Sequence, residues 1–158
     1  MEPLFEAIRQ SLQFLLKKYR IRLQLYAEPA VVSAEPVLLQ SLLYNLIDNA
    51  CKASPADETV TVRGRNIEEG YLITVIDHGR GIPKESLQKI TEPFYMEDKS
   101  RTRGQGGAGL GLALCKRIAE LHGTSLTFSS TLGQGTSVAF TLARGKREAD
   151  GAGEEGLQ

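Results

Sequence analysis

Asn45, Asn49 and Lys52 recur at i, i+4 and i+7 within a strongly apolar run. At about 100° per residue this spacing confines them to roughly 60° of arc on one helix. Leu42, Leu43, Leu46, Ile47 and Ala50 fill the rest of the cylinder. Such a helix is largely buried, so its polar stripe needs partners. Two amide oxygens beside an ammonium suit a hydrated Mg²⁺ carrying phosphates, because magnesium takes hard oxygen ligands and keeps part of its water. The stripe is equally consistent with amides that cap loops and a lysine that snorkels from the helix end.

Three further segments have chemistry in their spacing. Asp77-His-Gly-Arg-Gly-Ile-Pro directly follows an apolar strand pattern. Gly79 and Gly81 there permit a tight backbone and close ligand approach, and a carboxylate at a strand end can accept from an exocyclic amine. An ordinary strand-ending turn explains the same residues. Glycines at 106, 107, 109 and 111 precede an apolar helical pattern. Unpaired N–H groups and a positive dipole end make such a helix start a ready phosphate site. No strand leads into it and no GxxxxGK[ST] occurs, which disfavours the dinucleotide fingerprint and removes the Walker-type loop. Gly111 lies inside the helix, where glycine costs about 1 kcal/mol relative to alanine, so a packing or ligand reason is expected. Gly133-Gln-Gly-Thr136 reads as a hairpin turn that needs no further explanation.

The elements that must position these residues follow from periodicity. Residues 3–19 carry Leu4, Phe5, Ile8, Leu12, Leu15, Leu16 and Tyr19 at helical intervals, predicting one amphipathic helix. Residues 21–26 alternate as a strand, and Val31–Val32 suggest a short second one. Pro36 opens a helix over 35–53 that Ser54-Pro55 ends. Strands are expected at 58–66 and 70–77, a short helix at 84–90, a helix at about 109–122, and strands near 124–130 and 135–142. The charged, glycine-rich stretch 96–107 reads as a mobile loop. From residue 144 the chain turns polar and glycine-rich, so the domain is expected over 1–143 and a disordered tail over 144–158. The mixture predicts an α/β sandwich in which a mixed sheet is covered by helices on one face.

Composition narrows the partners. The 158 residues carry 19 Lys plus Arg and 19 Asp plus Glu, without the basic excess that nucleic-acid or membrane-surface binding usually shows. No apolar run approaches the roughly 18–20 residues of a membrane span, and Glu2, Glu6 and Arg9 interrupt any signal-peptide core. Cys51 and Cys115 read as small buried hydrophobes. No HExxH occurs, and His78 and His122 lie too far apart in sequence to suggest a zinc pair.

Taken in order, NLIDNACK (45–52), DHGRGIP (77–83), TEPFY (91–95), GGAGLGL (106–112) and GQGT (133–136) resemble five successive boxes of the sensor histidine kinase catalytic domain. That family shares its ATP-binding fold with gyrase B, Hsp90 and MutL. The resemblance covers residues 3–142 and implies an α+β, two-layer α/β sandwich of the Bergerat type. It implies ATP or ADP with Mg²⁺, Asn49 as principal metal ligand, Asn45 assisting, and Lys52 on the phosphates. Asp77 would accept from the adenine amine, Gly79 and Gly81 would let the base approach, and Thr136 would help through water. The amides of Gly107, Ala108, Gly109, Leu110, Gly111 and Leu112 would hold the β- and γ-phosphates. The 92–95 segment would anchor a lid over 96–108. Arg101, or its neighbours Lys99 and Arg103, would contact phosphate where the family often has a basic residue and this chain has Met96. The family's frequent aromatic against adenine is Ala53 here, so Ile82 and Leu112 would supply more of the apolar pocket.

The implied reaction moves the γ-phosphoryl of ATP to a histidine on a helical hairpin of the same parent protein, and thence to a response regulator. These residues hold no His-Glu-x-x-x-x-Pro pattern, so little autophosphorylation is expected. A monomer in the bacterial cytoplasm is expected, without nucleic-acid or membrane contact, its parent anchored in the membrane or not. The competing readings are a hydrolytic relative, an anti-sigma serine kinase of the same fold, and a non-enzymatic nucleotide-binding module. The first needs a carboxylate base where Asn45 stands.

Overall fold

A computed structural model describes residues 1–90 and 111–145. The order is α1 (Glu2–Ser11), α2 (Gln13–Tyr19), β1 (Arg22–Ala27), α3 (Pro36–Ala53), β2 (Thr59–Ile67), β3 (Gly70–Ile76), α4 (Lys84–Leu87), α5 (Gly111–Leu121), β4 (Thr127–Thr131) and β5 (Gly135–Leu142). The strands form one mixed sheet in the order β1-β2-β3-β5-β4. Only β1 and β2 are parallel; the other pairs are antiparallel.

Alternation explains the core. The register sets Val62 opposite Val75, Ile73 opposite Phe140, and Tyr71 opposite Leu142. All six are buried, so one face of the sheet is apolar throughout. Against it α3 buries Leu39, Leu42, Leu43, Leu46, Ile47, Ala50 and Cys51. Phe5, Ile8 and Leu12 from the N-terminal helices and Cys115 and Ile118 from α5 complete the same cluster. Tyr71 is fully buried and still donates its hydroxyl to the Glu28 carbonyl at 2.9 Å.

Three sequence expectations change. The single helix over 3–19 is two, separated at Leu12, where φ is −96° and ψ is −3°. Ser11 Oγ donates to the Ile8 carbonyl at 2.9 Å, a back-bond that bends helices. The second strand at Val31–Val32 shrinks to one bridge between Val32 and Arg144. The bonds around it run from Ser33 N–H to the Ala143 carbonyl and from Gly145 N–H to the Val31 carbonyl, both 2.8 Å. Residues 144 and 145, read from sequence as the start of the tail, are therefore paired. The helix at 84–90 is one turn, after which Ile90 N–H still reaches the Ser86 carbonyl at 3.1 Å. Among the described residues no helix is long and apolar enough to cross a membrane.

Candidate functional site

The site is built on α3. Pro36 sits in its first turn, and the end is set by Ser54, which takes extended backbone ahead of Pro55. Asn45 Nδ2 donates to the Ser41 carbonyl at 2.8 Å, which fixes the amide and turns Oδ1 outward from the helix. A Cβ placed on Gly111 would stand 3.6 Å from that oxygen. The polar stripe of α3 and the start of α5 thus face each other at Asn45 and Gly111.

Two turns beyond Asn45, Lys52 Nζ lies 3.0 Å from Asp48 Oδ2. Both side chains are mostly buried, 23% and 18% exposed, so the pair is shielded from solvent more than a surface ion pair is. Two buried atoms here lack a hydrogen-bond partner among the described residues: Asp48 Oδ1 and Asn49 Nδ2. Buried polar atoms left unpaired cost free energy. An unpaired acceptor and an unpaired donor on successive residues suit water and phosphate oxygens around a hard cation, and Asn45 Oδ1 adds an oxygen facing Gly111. The residues fit a hydrated Mg²⁺.

The 77–83 segment closes the other end. Asp77 is 8% exposed, and its Oδ1 accepts from the Gly79 N–H at 2.9 Å and the Thr136 N–H at 3.2 Å. Burial pushes its carboxyl above the ordinary 3.8, against the lowering pull of those two backbone donors. Gly79 lies against the C-terminal end of α3: a Cβ there would fall on the Ala53 carbonyl oxygen, which also accepts from Arg80 N–H at 3.2 Å. Gly81 has φ +75°, and a Cβ would strike the Thr131 and Leu132 backbone, so only glycine fits. Burial, then the Asp48 and Asp77 carboxylates, push the Cys51 thiol from 9.0 to about 12.

A hydroxyl pair ties the loop to the sheet. Ser130 Oγ accepts from Ile82 N–H at 2.7 Å, donates to the Gly135 carbonyl at 3.0 Å, and lies 2.9 Å from Thr136 Oγ1. Ile82 is half-buried, while Leu112 packs against the core from the first turn of α5.

The structure therefore gathers Asn45, Gly111 and, along the same helix, Asn49 and Lys52; it gathers Asp77, Gly79, Gly81, Ile82 and Thr136 at the α3 terminus. Arg101, Lys99 and Arg103, Met96, the 91–95 segment, and Gly107, Ala108, Gly109 and Leu110 lie outside the described residues. His78 is exposed. His122 Nε2 accepts from the Glu35 N–H at 3.0 Å, so the hydrogen on the ring sits on Nδ1, which meets the Ile118 carbonyl at 2.8 Å. It straps α5 to the start of α3.

Two residues were missed in the sequence. Asp48 stands four residues before Lys52, the favourable order for a helical ion pair, and that spacing was visible. Ser130 faces Thr136 across the β4–β5 register, which only strand pairing reveals.

Comparison with known proteins agrees with this fold. Residues 34–146 match the family described as histidine kinase-, DNA gyrase B-, and HSP90-like ATPase. The sensor histidine kinase WalK of Bacillus subtilis (strain 168) is 40% identical over 114 residues, 71% of this chain. The chain spans only 19% of that relative's length. The mycobacterial sensor histidine kinase MprB superposes with a TM-score of 0.75 at 27% identity, covering 90% of this chain and 95% of that one. Full-length ShkA in complex with AMPPNP gives 0.79 at 24% identity, covering 92% of this chain and 31% of that one, a likeness of fold. This chain belongs to the family of histidine kinase-, DNA gyrase B- and HSP90-like ATPases, in which it is a catalytic domain of the sensor histidine kinase kind.

Proposed function

We propose that this domain binds Mg²⁺-ATP between α3 and the start of α5 and donates the γ-phosphoryl to a histidine on a helical hairpin of its parent protein. The observation that carries the reading is Asn45 Oδ1 directed at Gly111, with buried, unpartnered Asp48 Oδ1 and Asn49 Nδ2 one turn away. Asn49 and Asn45 hold the cation and Lys52 meets the phosphates. Asp77 accepts from the adenine amine through its second oxygen, with Thr136 beside it. Mg²⁺ supplies charge neutralisation on the phosphate oxygens. The protein's part is positioning and preorganised electrostatics. Asn45 presents an amide where hydrolysis would need a base, so transfer is favoured over water. Arg101, Lys99 or Arg103 supplies a further phosphate contact, and the amides of residues 107–112 hold the β- and γ-phosphates. The domain works in the cytoplasm, and a response regulator receives the phosphoryl group from the hairpin.

The test mixes this chain, Mg²⁺ and γ-labelled ATP with the parent's hairpin. Acid-labile label on the hairpin histidine, abolished by Asn49→Ala, is expected, and none on His78 or His122. Rapid ATP hydrolysis with no transfer would overturn the kinase reading.

A further inference from the structure

We infer that Ser130 is a specificity-determining positioning residue, which holds the Thr136 hydroxyl as a pure acceptor and so selects a purine with a 6-amino group over one with a 6-oxo group. The inference rests on the assignment of the Asp77 pocket to the base.

The argument is a count of protons. Ser130 Oγ has three polar neighbours: Ile82 N–H at 2.7 Å, the Gly135 carbonyl at 3.0 Å and Thr136 Oγ1 at 2.9 Å. The amide can only donate and the carbonyl can only accept. Ser130 owns one proton. All three contacts are satisfied in a single arrangement: Ser130 donates to Gly135 and accepts from both Ile82 and Thr136. The Thr136 proton is then spent, and its lone pairs are all it can offer a ligand.

Asp77 reinforces this polarity. Its Oδ1 is taken by the Gly79 and Thr136 amides, and Oδ2 makes no hydrogen bond among the described residues. Burial raises this carboxyl above 3.8, and the two backbone N–H donors on Oδ1 oppose that rise by favouring the ionised form. Both side-chain oxygens still open here therefore ask for a donor. An exocyclic amine supplies two N–H groups, directly or through a water. A carbonyl at the same position meets two acceptors and no proton. A site built to hydrogen-bond one group rejects the analogue that leaves its buried polar atoms unpaired.

Ser130→Ala frees the Thr136 proton to turn toward the ligand. Binding of ATP and of ITP, which differ at the 6-position and its neighbouring ring nitrogen, is measured by calorimetry. The wild type is expected to prefer ATP. Ser130→Ala should narrow the ATP-to-ITP preference about fivefold, on the scale of one hydrogen bond, chiefly by improving ITP. Ser130→Thr, which keeps a hydroxyl, should restore the preference. In a Thr136→Val background the Ser130 substitution should leave the ratio unmoved. If Ser130→Ala does not fold, Ser130→Cys, a weak donor and acceptor of similar shape, should shift the ratio in the same direction. Equal weakening of both nucleotides with an unchanged ratio would mean that Ser130 merely braces the loop, and would overturn the inference. A wild type that binds neither nucleotide would instead overturn the pocket assignment itself.

Discussion

Lys52 was read from sequence as an ammonium waiting for phosphate, yet Asp48 holds it at 3.0 Å. A carboxylate inside the proposed phosphate site would serve two opposed ends: it orients the lysine, and it would repel the ligand. Its second oxygen is buried and unpartnered among the described residues, which places a negative charge where a cation's water could donate. Asp48→Asn keeps the shape and removes the charge. Removing one partner of this mostly buried pair leaves the Lys52 charge uncompensated, so the melting midpoint should fall. ATP should bind up to about tenfold more tightly without metal, since a repulsive charge has gone, and Mg²⁺ should then add less. Titration of Asp48→Asn with and without Mg²⁺ checks this. A metal-free affinity equal to that of the wild type would count against it. The sequence showed the i, i+4 spacing of this pair but not its burial, which depends on the neighbours of α3.

At the scale of elements, α3 and α5 carry the site on one side and pack through small buried groups on the other. Cys51 and Cys115 are both fully buried, and Cys115 Sγ lies 3.8 Å from the Leu42 carbonyl. Burial pushes each thiol from 9.0 to about 12. In the unfolded chain these thiols ionise near 9; in the folded chain they hold their protons. Between those values the unfolded state binds fewer protons, so stability falls as pH rises. The contribution is complete below about pH 9 and lost toward pH 12. Denaturant midpoints measured from pH 8 to 11 should drop, and Cys51→Ala with Cys115→Ala should flatten the drop after allowance for the cavities left. An identical slope in the double variant would contradict the assignment. The helix periods of α3 and α5 were legible because their apolar residues recur every three or four positions. The break at Leu12 was not, because it comes from the Ser11 back-bond within an uninterrupted apolar pattern. The bridge at Val32 was misread as a strand because its partner, Arg144, lies 112 residues away.

Across the molecule, order and alternation announced most of the architecture: a mixed sheet, an apolar face, and helices laid on it. Five short motifs announced the family. Sequence could not show why each glycine is needed. Gly81 was read as a point of close ligand approach, and the fold shows the Thr131–Leu132 backbone already occupying the space a Cβ would need. Nor could it show Ser130 of β4, whose partners come from the 77–83 segment and β5 at once. The central claim is that the amide stripe of α3 binds a metal-bound triphosphate against the start of α5. Calorimetric titration with ATP, with and without Mg²⁺, on wild type and Asn49→Ala tests it most directly. The wild type should gain about tenfold or more in affinity from Mg²⁺, 1.4 kcal/mol or beyond, and Asn49→Ala should bind ATP equally with and without the metal. Full retention of the Mg²⁺ gain in Asn49→Ala would contradict the account.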